Sequence, residues 1–238
     1  MIPESPRPWL GALLRLVLRR RVRRSLSALR VLGLDETRAL ARRGPLLLCA
    51  NHVCFWDAGV IEQLTQLLEV DARVLMLASE LRKAPFLRWL GCFGVEAGDP
   101  RDGARAILHA ARLLDRPGRA LWLFPQGAQR PQWQRPLAFQ RGAEVVASRV
   151  EHEAFAVVPV SLHYELGEAE APEVWVRLGP PATSTPRVAD LERSVQQGLD
   201  ELTQRISAGI PLASQWPSRE RLGQGVASRA LARLLGAR

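Results

Sequence analysis

A histidine and an aspartate five residues apart follow directly after a short apolar run, residues 46–50. The run predicts a buried strand, and Asp57 is a residue type favoured where a helix begins. On a continuous helix, positions 52 and 57 would point about 140° apart, so the two side chains meet only if the residues between them form a turn. We therefore expect His52 and Asp57 at the carboxyl end of a strand, where open α/β sheets bind their ligands.

A histidine held by a carboxylate is suited to general base catalysis. Imidazole has an ordinary pKa of about 6.5, so it accepts a proton near neutral pH. The carboxylate fixes one tautomer and stabilises the protonated ring, and such a base contributes roughly 10² to 10⁴ in rate. The alternative is an ordinary His–Asp pair with a purely structural role, and the two residue types alone leave both interpretations open.

Metal binding is a further interpretation of this stretch, since Cys49, His52, Cys54 and Asp57 are all metal-ligating residue types. Alternate residues of a strand point to opposite faces of the sheet, and the sequence contains no second cluster of ligands. We therefore expect no metal site here.

Strand-like and helix-like segments alternate along the chain around this motif. Apolar runs predict strands at 46–50, 73–78, 93–97, 120–124, 155–162 and 174–178. Periodic segments predict helices at 58–69, 80–90, 102–115, 141–150 and 189–209. This alternation predicts an α/β fold with a mostly parallel central sheet flanked by helices. Pro159 inside the fifth strand predicts an edge position or a bulge, because proline has no N–H to donate.

The two ends of the chain differ from this pattern. Residues 8–34 predict one or two amphipathic helices, with apolar positions on one face: Leu10, Leu13, Leu14 and Val17. The opposite stripe is basic: Arg15, Arg19, Arg23 and Arg30. Such a segment either lies in a membrane interface or packs on the core with a solvated arginine face. We divide the chain into N-terminal helices (1–38), an α/β domain (39–212) and a basic tail (213–238).

Composition limits the possible partners. The 238-residue chain has 33 Lys and Arg residues and a formal net charge of +9, which favours anionic partners. Its three cysteines cannot form a closed disulfide framework, so we expect reduced thiols and a cytoplasmic setting. No run of 18 apolar residues occurs, and we expect no transmembrane helix.

Asn51-His52 followed by Asp57 resembles the first motif of the glycerolipid acyltransferases, the family typified by bacterial 1-acylglycerol-3-phosphate acyltransferase. Three later stretches fit the same family in order, and the resemblance covers roughly residues 40–185. The second motif corresponds to residues 91–101, with Gly94 at its centre. The third motif, Phe-Pro-Glu-Gly-Thr-Arg in the family, corresponds to Phe124-Pro125-Gln126-Gly127-Ala128-Gln129. The fourth, an apolar strand with a central proline, corresponds to residues 157–161.

The second and third motifs depart from the family at positions that the resemblance assigns to acceptor binding. Ala97 replaces an arginine that holds the acceptor's phosphate, and Gln129 replaces another. Arg101, Arg105 and Arg130 either restore the charge from shifted positions, or the acceptor has a plain hydroxyl and no phosphate. The resemblance implies that these three arginines bind substrate together with Asn51, Gly94, Phe124, Pro125, Gln126 and Gly127.

The resemblance implies an acyltransferase that moves a fatty acyl group from a thioester to a lipid hydroxyl, with His52 as base and Asp57 as its partner. Backbone N–H groups near Gly127, or Asn51, would stabilise the oxyanion. Cys54 suggests a Cys–His acyl-enzyme, but the family has a small polar residue there, so we expect it only to pack beside the site.

The resemblance also implies the co-substrates and the setting. The acyl donor is acyl-CoA or acyl carrier protein, the acceptor is a lipid, and no cofactor is expected. We expect peripheral attachment to an anionic membrane at the cytoplasmic face. One alternative is a catalytically inactive lipid-surface binding protein of the same fold. Nucleic-acid binding rests on charge alone, since no nucleic-acid-binding module is present, and we do not expect it.

Overall fold

Seven strands form one sheet in the computed structural model, which describes residues 1–167, 169–182 and 185–216. The strands are β1 (Ala28–Leu32), β2 (Leu46–Ala50), β3 (Asp71–Leu77), β4 (Cys92–Val95), β5 (Arg119–Leu123), β6 (Ala156–Glu165) and β7 (Glu173–Leu178). Their order is β1-β7-β6-β2-β5-β3-β4, and every pairing is parallel except that of β6 with β7. The predicted α/β class with a mostly parallel sheet is confirmed.

Helices cover both faces of the sheet, which explains why the central strand is apolar at every position. The helices are α1 (Pro8–Ser25), α2 (Leu34–Arg43), α3 (Asp57–Leu67), α4 (Ala78–Lys83), α5 (Pro100–Leu113), α6 (Gly142–Ala147) and α7 (Val188–Ser207), with a 3₁₀ helix at Pro85–Leu90. Along β2, Leu46 and Leu48 join the core under α1 and α3, whereas Leu47 and Cys49 join the core under α5, α6 and α7. The carboxyl end of β2 therefore lies between the two helix layers that cover the sheet.

The prediction of helix across residues 8–34 is wrong after Ser25. Residues 28–32 form strand β1, which pairs with β7 at the edge of the sheet. Leu29 is fully buried, and its carbonyl accepts a hydrogen bond from the N–H of Gln215. Gly33, with a left-handed φ of 81°, then allows the chain to turn into α2, a helix that the periodicity did not predict.

The predicted edge position of Pro159 is also wrong, because β6 lies between β2 and β7. Pro159 is paired with Cys49 on one side, and its carbonyl accepts from the N–H of Gly179 on the other. Gly179 is the residue just after β7 ends. The missing proline N–H therefore lies where the neighbouring strand has stopped, and it interrupts no regular ladder.

Helix α1 packs on the fold in an unusual orientation. Its apolar residues Trp9, Leu13 and Val17 are exposed, Trp9 to 73 %. On the basic side, Arg15 and Arg19 are partly buried, and Arg15 lies 3.6 Å from the carboxylate of Glu62, whereas Arg20, Arg23 and Arg24 are exposed. The membrane and core-packing interpretations of this segment both stay predictions.

The chain ends give two further results. No helix among the described residues has the length and hydrophobicity needed to span a membrane. Trp216 is buried in the core, whereas the predicted tail from residue 217 onward lies outside the described residues. The division of the chain at residues 38 and 212 stays a prediction.

Candidate active site

His52 and Asp57 meet across the turn that connects β2 with α3. The distance between His52 Nδ1 and Asp57 Oδ2 is 2.6 Å, and Asp57 is completely buried. Helix α3 begins at Asp57, so residues 52–56 supply the bend that a continuous helix would have prevented. The imidazole is one-quarter exposed and lies at the carboxyl end of β2, as the residue spacing predicted.

The Asp57 carboxylate accepts hydrogen bonds from both sides. Oδ2 accepts from the N–H groups of Val53 at 2.6 Å and Cys54 at 3.1 Å, in addition to His52. Oδ1 accepts from the hydroxyl of Tyr164 at 2.7 Å. These donors replace water around a buried charge and fix the direction of the carboxylate. With Nδ1–H donated to Asp57, the lone pair of His52 lies on Nε2.

Two side-chain amides continue the sheet where β2 stops. Ala50 is the last residue of β2 and lies opposite Val160 of β6. Beyond it, the amide of Asn51 exchanges two hydrogen bonds with the backbone of Leu162, at 2.8 and 3.0 Å. Gln132 does the same for the backbone of Tyr164, with both distances 2.9 Å. Asn51 therefore anchors the residue before His52 to β6, and its amide is already engaged by the backbone.

The turn after β5 lies against the histidine. The Phe124 ring is 4.4 Å from the imidazole, centre to centre, and Gln126 Oε1 accepts from the backbone N–H of His52 at 2.6 Å. Gly127 has a left-handed φ of 67° and donates its N–H to the carbonyl of Phe124. Gln126 thus holds the backbone of the base, and the N–H of Gly127 and the amide of Asn51 both have partners. Among the backbone N–H groups near Gly127 that we expected to stabilise the oxyanion, that of Ala128 is the candidate, because it has no partner in the described part of the chain.

A cavity of about 670 Å³ opens beside the imidazole. Its walls come from the ends of β3, β4 and β5 and from the facing sides of α5 and α6. Most of the lining is apolar, as with Leu75, Ile107 and Val146, and Glu80 is its one carboxylate among residues 1–167, 169–182 and 185–216. His52 lies on the wall together with Phe124, Pro125 and Gly127 of the third motif.

Besides Asn51 and Gln126, four of the predicted substrate-binding residues are absent from the cavity lining. Gly94 packs against α4, and the next residue, Val95, reaches the cavity in its place. Arg101 and Arg105 are exposed on α5, outside the cavity lining. Arg130 lines a second recess of about 520 Å³ beside Trp133, on the side of Cys54 and Tyr164. Within the part of the chain that the structure describes, no arginine therefore lines the cavity that contains His52.

Cys54 is disfavoured as a nucleophile by its surroundings. Burial, followed by the nearby carboxylate of Asp57, raises the pKa of the Cys54 thiol. The reactive thiolate is therefore scarce near neutral pH. Cys49 faces the opposite side and is buried in the core. In the described ranges, no cluster of three or more His, Cys, Asp or Glu side chains has a metal-binding arrangement.

Tyr164 and Gln132 are site residues that the sequence did not reveal. Tyr164 is 107 positions from Asp57 along the chain, and no motif connects them. One signal was present: Tyr164 is the only tyrosine in the sequence, and it follows the apolar strand of the fourth motif by three residues. Gln132 lies in a Trp- and Pro-rich loop whose composition predicts no particular contact.

Comparison with known families agrees with this geometry. No individual curated protein matches the chain at a significant level. The family model described as Acyltransferase matches residues 29–163, which is more than half of the chain and includes the His52–Asp57 turn and the wall after β5. On this match, and in agreement with the resemblance found in the sequence, the chain belongs to the acyltransferase family.

Proposed function

We propose that this protein is an O-acyltransferase that moves a fatty acyl group from an acyl thioester to the hydroxyl of a lipid acceptor. The observation that carries the proposal is the 2.6 Å contact of His52 Nδ1 with a buried carboxylate, on the wall of an apolar cavity. Membership of the acyltransferase family supports acyl transfer in general. The thioester donor, acyl-CoA or acyl carrier protein, and the role of His52 belong to the proposal.

The reaction needs one base and no covalent enzyme intermediate. His52 Nε2 takes the proton of the acceptor hydroxyl as the oxygen attacks the thioester carbonyl carbon. The C–O bond forms, the C–S bond breaks, and the departing sulfur receives the proton from the imidazolium. Asp57 stabilises that imidazolium, and the N–H of Ala128, a residue of the cavity wall, is the proposed oxyanion donor. The products are an ester and a free thiol.

The cavity suits an aliphatic chain. Its volume falls within the range of ligand pockets, and its apolar walls gain about 25 cal/mol for each Å² removed from water. Ala106 and Ala143 line it as small buried residues on α5 and α6, and they leave space between the helices. We assign this cavity to the acyl chain, with the carbonyl carbon beside His52.

The acceptor that fits best has a plain hydroxyl and no phosphate. Recognition of phosphate normally uses arginine forks or an equivalent cluster of donors. Among the described residues, no arginine or lysine lines the cavity, and the lining carboxylate of Glu80 is paired with Lys83 at 2.7 Å. Arg101 and Arg105 are exposed on α5 and are not part of the cavity lining. Because the acceptor hydroxyl must reach His52 on this same wall, we propose a monoacylglycerol-like lipid alcohol in preference to a lysophospholipid.

A membrane surface is the proposed place of reaction. The exposed apolar side chains Trp9, Leu13 and Val17 lie within the first ten residues of α1, and exposed Arg20 and Arg24 lie nearer its end. This combination suits insertion into an anionic lipid interface. Attachment at the cytoplasmic face is part of the same proposal.

Vesicle sedimentation tests the membrane proposal. Wild-type protein should bind vesicles that contain phosphatidylglycerol better than vesicles of phosphatidylcholine alone. Leu13→Glu should weaken that binding, whereas Leu166→Glu, a change at another exposed leucine, should not. Equal binding by both variants would show that this face of α1 does not contact the membrane.

Product identification tests the reaction. The chain is expressed in a lipid-producing host, and lipids are compared by mass spectrometry between wild type and His52→Ala. A new ester that depends on His52, with no phosphate in the acceptor, supports the whole proposal. A new phospholipid that depends on His52 keeps the reaction but overturns the acceptor. If no ester depends on His52 with any acceptor, the alternative of an inactive lipid-surface binding protein is favoured.

A further inference from the structure

Tyr164 reaches the His52–Asp57 pair from the opposite side of the turn. It lies near the end of β6, and its hydroxyl donates to Asp57 Oδ1 at 2.7 Å. The imidazole contacts the other carboxylate oxygen, Oδ2, at 2.6 Å. The three groups therefore form a continuous line of hydrogen bonds, from the Tyr164 hydroxyl through the Asp57 carboxylate to His52.

The two oxygens of the carboxylate are not equally supported. Oδ2 has two backbone donors, from Val53 and Cys54, in addition to the imidazole. On Oδ1, the only other donor among the described residues is the Cys54 thiol at 3.8 Å, which is a weak donor. The hydrogen bond from the Tyr164 hydroxyl is therefore the strong contact that keeps the Asp57 carboxylate from rotating.

The position of Tyr164 is itself fixed. Its backbone N–H and C=O are both bonded to the amide of Gln132, and across the sheet it lies opposite Val174 of β7. Burial, together with the facing Asp57 carboxylate, raises the pKa of the Tyr164 hydroxyl well above its ordinary value. The hydroxyl thus keeps its proton. The titratable groups that face the carboxylate are His52, Cys54 and Tyr164.

We propose that Tyr164 is a positioning residue for the general base, which holds Asp57 in the orientation that aligns His52 with its substrate. It acts through Asp57 and is not part of the lining of the cavity beside His52. This inference rests on the proposed acyltransferase reaction, because positioning a base has a kinetic effect only where the base acts.

Tyr164→Phe is the direct test, since it removes the hydroxyl and keeps the ring. Thiol release is followed with palmitoyl-CoA and monoacylglycerol. Because the variant loses a hydrogen bond to a charged group, its kcat should be about 10- to 100-fold lower than that of the wild type, with KM for both substrates little changed. Without the hydroxyl, the carboxylate loses one hydrogen-bond donor and interacts more strongly with the imidazolium. The acid limb of the kcat/KM profile should therefore move to higher pH.

Ser161→Ala is the matched control. Ser161 is a buried residue of the same strand, and its hydroxyl donates to the carbonyl of Val195 at 2.8 Å, away from the site. Losing that hydroxyl removes one hydrogen bond from β6 without changing Asp57. The control should keep the wild-type kcat and the wild-type pH profile, and thermal denaturation of both variants checks that they fold.

A second measurement does not need turnover. Proton NMR of the protein with ¹⁵N-labelled histidine detects the Nδ1–H of His52, which His52→Ala identifies by its loss. Tyr164→Phe should move that resonance and Ser161→Ala should not. An unmoved resonance would overturn the inference, as would wild-type kinetics in Tyr164→Phe. A raised KM at unchanged kcat would do so too, because it would make Tyr164 a substrate contact. If His52→Ala retained wild-type turnover, the proposed function would fail, and the NMR result would still decide the role of Tyr164.

Discussion

Replacing Asp57 with asparagine should separate the charge of this residue from its geometry. An asparagine amide can present its oxygen to His52, Val53 and Cys54, and its nitrogen to the oxygen of the Tyr164 hydroxyl. Four of the hydrogen bonds to Asp57 are then kept, with the one to Tyr164 reversed in direction, and only the weak one from the Cys54 thiol is lost. The imidazole keeps its tautomer, and the main loss is the charge that stabilises the imidazolium.

The size of that loss follows from Coulomb's law. Opposite charges roughly 4 Å apart attract by about 4 kcal/mol at an effective dielectric constant of about 20. Because about 1.36 kcal/mol corresponds to a factor of ten in rate, kcat of Asp57→Asn should fall about a thousandfold. The thermal midpoint should change little, since a buried charge is replaced by a neutral group that keeps its partners.

Asp57→Ala gives the contrast. It leaves the Val53 and Cys54 N–H groups and the Tyr164 hydroxyl without their acceptor, at a cost of about 1 to 3 kcal/mol each. Both activity and stability should therefore fall. The assay is release of thiol from palmitoyl-CoA in the presence of monoacylglycerol, combined with thermal denaturation. An Asp57→Asn enzyme within a few-fold of wild type would refute the reasoning, because the charge would then contribute nothing to the rate.

Three other changes test separate parts of the site. Cys54→Ala should keep most of the wild-type kcat, and loss of its turnover would instead indicate an acyl-enzyme. In the wild type, Cys54 should react slowly with iodoacetamide at pH 8, because the raised pKa of its thiol leaves little thiolate. Gln126→Ala should lower the free energy of unfolding by about 1 to 3 kcal/mol and reduce kcat without raising KM for the acceptor, because Gln126 accepts a hydrogen bond from the backbone N–H of His52. A raised acceptor KM alone would instead show that Gln126 contacts the substrate. Gly59→Val should lower the thermal midpoint sharply, since even a Cβ at Gly59 would lie 1.9 Å from a methyl carbon of Val22 on α1, and an unchanged midpoint would show that α1 does not pack on α3 in solution.

The sequence was informative where local pattern and local geometry coincide. The apolar run of β2 and the five-residue spacing of His52 and Asp57 were enough to place a bent His–Asp pair at the end of a strand. The same logic failed at β1. Its five residues follow a long basic helix without a proline, and only Ser27 and Gly33 mark its ends. A strand this short depends on its pairing with β7, almost 150 residues away, and periodicity does not report such a contact.

The support of the site was hidden for the same reason. Asn51 and Gln126 were predicted to bind substrate, yet both hold backbone groups around His52. A side-chain amide that completes a sheet has the same sequence signature as one that binds a ligand. Tyr164 and Gln132 reach the site only through the register of β6 with its neighbours. Such contacts follow from the tertiary fold, and no short motif contains them.

Whether His52 is the base for acyl transfer is decided by the rate of thiol release by the purified protein. Wild type, His52→Ala and His109→Ala are compared with palmitoyl-CoA and monoacylglycerol. His109 is a matched control, because it also pairs with a carboxylate, that of Glu4 at 2.8 Å, and does not line the cavity. We expect His52→Ala to be slower than wild type by a factor of roughly 10² to 10⁴, and His109→Ala to stay within a few-fold of wild type. Equal rates in wild type and His52→Ala would contradict this role of His52.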